Sequence, residues 1–276
     1  MDPVLSIEEL HKIQYELILQ FDKFCEENGY RYYLFYGTLL GAIRHKGFIP
    51  WDDDVDIAMP RPDYEKLIQA KQLSDTAFIV TNRNPHSYYH PFTYCNITDT
   101  RTIMEENQMK KPTGKGVFID IFPLDGLPDN DRDVYKHLKK ALLLKKMLVY
   151  SHMAKPPIKS IKNFLKVILC ILASTFNPEK LIAKIDKLAQ RYDFDKSTKV
   201  ANVVFVEPDF EKEIHMREDF GAGLKTKFVD RELRVPNNYE DILRRCYGDY
   251  MTPPPLNEQH GHHEIFYRWK KGIEHR

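Results

Sequence analysis

Seven residues constrain this chain more than any others: Trp51-Asp52-Asp53-Asp54-Val55-Asp56-Ile57. Side chains alternate across an extended strand. Asp52, Asp54 and Asp56 are therefore expected on one face, with Val55 and Ile57 turned into a core. Three like charges on one face repel. A divalent cation relieves that repulsion, and oxygen-only ligands suit Mg²⁺ or Mn²⁺. A second stretch, Gly116-Val117-Phe118-Ile119-Asp120-Ile121-Phe122, carries one acid inside an apolar strand. A lone buried carboxylate is costly unless something pairs with it, and a cation shared with Asp54 and Asp56 would do so. The expected metal set is Asp52, Asp54, Asp56 and Asp120, with Asp52 either a further ligand or an acid behind the others. The competing reading is a solvated acidic turn at 52–56 and a strand-end salt bridge at Asp120.

Around these strands the pattern is mixed. Ser6 and Glu9 form a capping box ahead of the apolar stripe Leu10, Ile13, Leu17, Phe21 and Phe24, and Asn28-Gly29 stops that helix. Strands are expected at Arg31–Tyr36, Asp54–Met59, Ala77–Thr81, Phe92–Ile97 and Gly116–Phe122, with a short helical segment after Tyr36 and another opened by Arg61-Pro62-Asp63. Helical patterns then run from Asp133 to Tyr150, Ile158 to Thr175 and Pro178 to Tyr192. A strand follows at Lys199–Val206, and a capped helix at Asn238–Tyr247. Strands first and a helical block later predict an α+β fold, a mixed sheet flanked by helices with a helical insertion. The expected division is a catalytic core at 1–130, a basic helical insertion at 131–198 and a completing part at 199–276.

Tyr36-Gly37-Thr38 lies upstream of the acids. A Gly-Thr turn into a helix offers backbone N–H groups to a phosphate. Arg44-His45-Lys46 follows it and offers cations for a phosphorylated donor. Lys115, and Asp99 to Arg101, are further candidates to reach that donor. His260, His262 and His263 follow the Pro253-Pro254-Pro255 turn, and one of them is a candidate to shuttle a proton.

The order Gly-Thr, Asp-x-Asp, then a third strand acid resembles the nucleotidyltransferase superfamily of the DNA polymerase β type. Three longer stretches resemble the LicD family: YGTLLGAIRHKGFIPWDDDVDIAMPRPDYEKL (Tyr36–Leu67), GVFIDIFPLDG (Gly116–Gly126) and VPNNYEDILRRCYGDYMTPPP (Val235–Pro255). Bacterial members of that family transfer phosphocholine from CDP-choline to cell-surface glycans. Fukutin and fukutin-related protein, which transfer ribitol phosphate, share the domain. The resemblance implies a metal-dependent phosphotransferase releasing CMP. Asp54 and Asp56 would hold the donor-side metal, and Asp120 would bridge to a second metal and assist the acceptor hydroxyl. Gly37, Thr38, Arg44, His45, Lys46, Trp51 and Lys115 would bind the donor. It implies a lipid-linked acceptor of teichoic acid or lipopolysaccharide type. A ribitol or glycerol donor, an NTP-using nucleotidyltransferase, a silent sugar-nucleotide-binding module and a glycosidase are the competing readings. A choline donor predicts an aromatic cage drawn from Tyr36, Trp51, Tyr88, Tyr89, Tyr94, Phe266, Tyr267 and Trp269, with Trp51 foremost.

Charge narrows the partners. The chain carries 41 Lys plus Arg against 40 acids, a net of +1, which argues against a globally basic nucleic-acid binder. The balance is uneven: Arg132 to Lys187 holds 13 basic residues against three acids, a local net of +10. Lys155, Lys159, Lys162 and Lys166 interleave there with Ile158, Ile161, Phe164, Leu165, Val167, Ile168 and Leu169, the pattern of a basic amphipathic helix on an anionic leaflet. Cys25, Cys95, Cys170 and Cys246 are widely spaced, as expected of buried thiols in a reducing compartment. The N-terminal residues lack a secretory pattern, so a cytoplasmic protein, peripheral on the inner membrane face, is expected, and the Asn96-Ile97-Thr98 sequon is taken as a chance match.

Overall fold

Ser6 opens the first helix, α1 (Ile7–Asn28). Its hydroxyl accepts from the Glu9 N–H while the Glu9 carboxylate accepts from the Ser6 N–H, so the capping box is present. Leu10, Ile13, Leu17 and Phe21 are buried, and Gly29 ends the helix at φ 66°. The computed structural model describes residues 4–70, 72–81, 90–105, 111–154, 161–261 and 266–272.

The chain continues through β1 (Tyr33–Leu34), α2 (Tyr36–Arg44), β2 (Asp56–Pro60), α3 (Arg61–Leu67), β3 (Ala77–Val80), β4 (Cys95–Asp99), β5 (Thr102–Glu105) and β6 (Phe118–Gly126). Then come α4 (Asp131–His152), α5 (Ile161–Ala173), α6 (Pro178–Ala189), β7 (Lys199–Ala201), β8 (His215–Met216), β9 (Leu224–Phe228), β10 (Arg231–Val235), α7 (Tyr239–Tyr247) and β11 (Phe266–Trp269). The architecture is α+β with a mixed sheet, as the sequence predicts.

The central strand is β6. It lies parallel to β2, with Asp56 in register with Asp120, and antiparallel to β4, with Asn96 opposite Asp120. The sheet runs β1-β2-β6-β4-β3, and the far end of β6 passes to β7 and then β8. One core packs α1 and α2 against this sheet. A second core joins α4 and α6 to the 3₁₀ turn Val203–Phe205 and reaches the sheet through Tyr94 and Phe122. The helical block thereby packs directly behind the strand that carries Asp120.

Several expected boundaries move, each for a local reason. The strand expected at Arg31–Tyr36 is cut to two residues. Tyr36 takes φ 43° and starts α2, because the Thr38 hydroxyl accepts the Asp56 N–H (2.8 Å) and the Phe35 N–H reaches the Asp56 carbonyl (3.0 Å). The strand expected from Asp54 starts at Asp56. The strand expected to Val206 ends at Ala201, where the Asn202 side chain accepts from the Phe205 N–H and turns the chain into a 3₁₀ helix. Helix α5 occupies part of the segment expected as a basic amphipathic helix. It sets Cys170 and Ala173 inward while Phe164, Leu165, Ile168, Leu169, Ile171 and Leu172 face outward. Lys155, Ile158 and Lys159 lie outside the described residues. No helix among the described residues is long and apolar enough to cross a membrane.

Candidate active site

The acidic run is a loop, not a strand. The Asp52 N–H bonds the Ile49 carbonyl (3.0 Å), and α1 holds the main chain from below. His11 Nε2 lies 2.7 Å from the Asp52 carbonyl, and Gln14 Nε2 donates to the Asp53 carbonyl at 3.0 Å. His11 is itself stacked on Phe48, centroids 4.4 Å apart. With the backbone so bent, strict alternation fails. The Asp52, Asp53 and Asp54 carboxylates gather with oxygens within 4.8 Å of one another, so Asp53 joins a cluster from which alternation would have turned it away.

The expected acids nevertheless face a common space. Asp52, Asp54, Asp56 and Asp120 all line a cavity of about 670 Å³. Burial, then Asp54 and Asp53, push the Asp52 carboxyl up to about 7. Burial, then Asp54, Asp120 and Asp52, raise Asp56 well above the usual carboxylate range. Carboxylates that oppose one another's ionisation this strongly fit a divalent cation, which would favour their charged forms. Gly37 makes the approach possible: a Cβ there would stand 2.6 Å from Asp52 Oδ2.

Asp120 is held from behind. Asn96 Nδ2 donates to Asp120 Oδ1, and Lys115 Nζ donates to Asn96 Oδ1. Lys115 is only 2 % exposed, its ammonium 4.2 Å from the Phe118 ring centroid. It stands behind the acid rather than in the cavity wall, so its expected contact with a donor is replaced by support of Asp120. The sequence carried one signal for Asn96, a polar side chain between the apolar Cys95 and Ile97 of β4.

The other expected donor ligands separate. Gly37, Arg44 and Trp51 line the cavity. Arg44 Nη1 donates to the Tyr250 carbonyl (3.0 Å), and burial lowers its pKa. Thr38 is buried, its hydroxyl accepts the Asp56 N–H and so ties strand to helix, and it is not among the residues lining the cavity. His45 meets Trp51 edge-on at 6.0 Å, and burial and Arg44 lower its pKa. Lys46 is exposed and bonds Val229 through its main chain. Arg101 pairs with both Asp99 and Glu16, and Thr100 reaches the Asp75 carbonyl; none of these three expected residues lines this cavity. His260 is exposed and outside the cavity lining. His262 and His263 lie outside the described residues.

Among the aromatics, Tyr36, Trp51 and Tyr94 line the cavity, whereas Phe266, Tyr267 and Trp269 sit on β11, paired with β5 away from it. Tyr88 and Tyr89 lie outside the described residues. Sequence reasoning missed Phe122, Phe205, Glu207, Glu213 and Tyr247, which also line the cavity. Glu213 Oε2 accepts from the Tyr36 hydroxyl at 2.6 Å.

The model of the LicD/FKTN/FKRP nucleotidyltransferase domain matches residues 29–154, which include all four acids. The lipopolysaccharide cholinephosphotransferase LicD of Haemophilus influenzae is 28 % identical over 270 residues, covering 94 % of this chain and 96 % of that protein. An uncharacterised protein of Rickettsia prowazekii is 31 % identical over 140 residues, 49 % of this chain and 46 % of its own. One of Rickettsia typhi is 40 % identical over 73 residues, 25 % of this chain and 21 % of its own. Residues 29–154, which carry the acid-bearing strands, thus match the LicD/FKTN/FKRP nucleotidyltransferase domain, and similarity to a LicD cholinephosphotransferase extends over nearly the whole chain.

Proposed function

We propose that the chain transfers phosphocholine from CDP-choline to a hydroxyl of a cell-surface glycan and releases CMP, on a nucleotidyltransferase-like fold. The observation that carries the reading is one cavity lined by Asp52, Asp54, Asp56 and Asp120 together with aromatic rings, in a relative of a lipopolysaccharide cholinephosphotransferase. An acceptor hydroxyl oxygen attacks the phosphorus that bears choline. The bond from that phosphorus to the bridging oxygen breaks, and CMP leaves with that oxygen. The hydroxyl proton passes to Asp120, which Asn96 and Lys115 hold in position. Asp52, Asp54, Asp56 and Asp120 are the residues that would hold Mg²⁺ or Mn²⁺. Bound there, the metal supplies neutralisation of the phosphate charge, the main requirement of phosphoryl transfer. Arg44, from the rim, adds a fixed positive charge for the CMP phosphate.

A panel of CDP-choline, CDP-ribitol, CDP-glycerol and NTPs tests the reading. CMP release from CDP-choline is expected. Pyrophosphate release from an NTP would replace it with nucleotide transfer, and turnover of CDP-ribitol alone would change the alcohol but keep the phosphotransferase.

The acceptor side of the proposal is an anionic membrane surface on the cytoplasmic side. Phe164, Leu165, Ile168, Leu169, Ile171, Leu172 and Phe176 are 37 to 58 % exposed on or just beyond α5, and Leu143 of α4 is exposed near them in sequence. Lys139, Lys140, Lys146 and Lys180 are exposed in the same helical block, whose net charge is +10. A second copy of the chain would bring like charge to this face; an anionic leaflet brings the opposite charge and takes up apolar side chains. Flotation with phosphatidylglycerol vesicles at low salt should carry the protein upward. Leu165→Glu with Ile168→Glu should abolish that, and failure of the unaltered chain to float would overturn the surface role.

A further inference from the structure

Beside the acids the cavity has an aromatic wall, which the transfer chemistry does not use. Tyr36, Tyr94, Phe122 and Phe205 form it, and they pack on one another: centroid distances are 4.6 Å for Tyr94–Phe122, 5.2 Å for Phe122–Phe205, 5.5 Å for Tyr94–Phe205 and 5.9 Å for Tyr36–Phe122. Glu207 and Glu213 line the same cavity. Aromatic faces bordered by carboxylates attract a cation that cannot donate hydrogen bonds.

A second observation shows that this wall accepts positive charge. Lys145, from α4, places its ammonium 3.6 Å from the Phe205 ring centroid and pairs it with Glu207. Its side chain is only 13 % exposed, and burial lowers its pKa. A ring face and a carboxylate thus already hold one buried cation of the chain itself. Two carboxylates against one ammonium leave a net charge of −1 when both acids are ionised.

We propose that these four rings, with Glu207 and Glu213, form the subsite for the trimethylammonium group of the donor. The inference rests on the phosphocholine reading and adds its specificity element. Position supports it. Phe122 follows Asp120 by two residues on the same strand, roughly 7 Å along one face, and both line the cavity. A phosphorus held at the acids and a nitrogen two carbons beyond the ester oxygen span that interval. Trp51, the ring foremost in the sequence reading, stands with His45 beside the acidic loop and serves the phosphate end.

The test is calorimetric binding of phosphocholine, phosphoethanolamine and tetramethylammonium to the full chain, with CMP release from CDP-choline followed in parallel. Phosphocholine should bind more tightly than phosphoethanolamine. Phe205→Leu should weaken phosphocholine about tenfold, and Phe205→Tyr should restore it. Glu207→Gln, which keeps an acceptor for Lys145 but removes the charge, should weaken it several-fold because Lys145 is then left to repel the ligand. If the unaltered chain turns over CDP-choline while Phe205→Leu and Glu207→Gln bind phosphocholine as tightly as it does, this subsite is wrong and the reaction stands. If CDP-choline is not turned over, the reaction is wrong. Tetramethylammonium binding then decides the cation site: its loss in Phe205→Leu supports the site, and its retention overturns it.

Discussion

Asp56 and Asp120 are register partners on adjacent parallel strands, β2 and β6. Strands in a sheet lie about 4.8 Å apart, so two carboxylates contributed by chain segments 64 residues apart are held side by side by the backbone itself. Asp56→Asn and Asp120→Asn keep the shape and remove the charge. Each should lower turnover by orders of magnitude in a folded protein, and EDTA should do the same to the unaltered chain. In EDTA, Asp56→Asn should melt no lower than the parent, because burial and Asp54 oppose the charge that is removed. Circular dichroism melts and a CMP-release assay check both halves. Full turnover in EDTA would count against the metal reading.

Asn96 links Lys115 to Asp120 across two strands. Its expected role is positioning. Asn96→Ala should cost about 1–3 kcal/mol of stability through unmet buried polar groups. It should lower kcat roughly 10–100-fold, the usual loss when the support of a ligating group is removed, with KM for the donor little changed. Asn96→Asp retains an acceptor for Lys115 and should recover stability but not kcat, since it sets a like charge against Asp120. A KM effect without a kcat effect would instead place Asn96 in donor binding.

Much of the site was legible in the sequence because its acids sit on or beside strands with strong alternation. Asp56 and Asp120 are flanked by apolar residues that have nowhere to go but the core. The capping box at Ser6 and the start of α6 at Pro178 were legible because their signals are local. The bend at Asp52–Asp54 was not, because His11 and Gln14, some 40 residues away, impose it. The cavity's aromatic wall was hidden for the same reason. Phe205 and Glu213 occupy 3₁₀ turns without a motif and reach the acids only through the tertiary packing of α4 and β6. The β9–β10 hairpin was missed because its turn, Val229-Asp230, has no glycine; Val229 takes φ 59° with its N–H on the Lys46 carbonyl. Periodicity marked α5 as a helix, but it cannot say whether an apolar face turns inward or out.

Arg61 and Asp125 tie the start of α3 to the end of β6. The guanidinium donates from Nε at 2.6 Å and from Nη2 at 3.0 Å to a carboxylate that is 1 % exposed. Burial raises the Asp125 carboxyl, and Arg61 opposes that shift. Arg61→Met leaves the carboxylate buried without its fork and should cost about 3–5 kcal/mol. Arg61→Met with Asp125→Leu should recover most of the loss, because the pair is then replaced by apolar volume. Urea denaturation of the two single variants and the double variant measures the coupling. Additive losses would show that the pair contributes little.

His215 gives the fold a dependence on pH. Its ring lies edge-on to Phe35 and Phe220, 5.6 and 5.7 Å away, with neither ring nitrogen hydrogen-bonded. Burial pulls its pKa down to about 3, with Arg245 adding to the effect. In the unfolded chain the ring titrates near 6.5. Below that value the unfolded state binds a proton that the native state refuses. The stability due to the neutral ring is therefore present above about pH 6.5 and is lost as the pH falls toward 3, at up to about 1.4 kcal/mol per pH unit. His215→Phe removes that dependence and adds a third apolar ring between Phe35 and Phe220. Its advantage over the parent in denaturant midpoint should be small at pH 8 and grow steadily from pH 6.5 to pH 4.5. A constant offset across that range would mean that His215 titrates alike in the folded and unfolded chain.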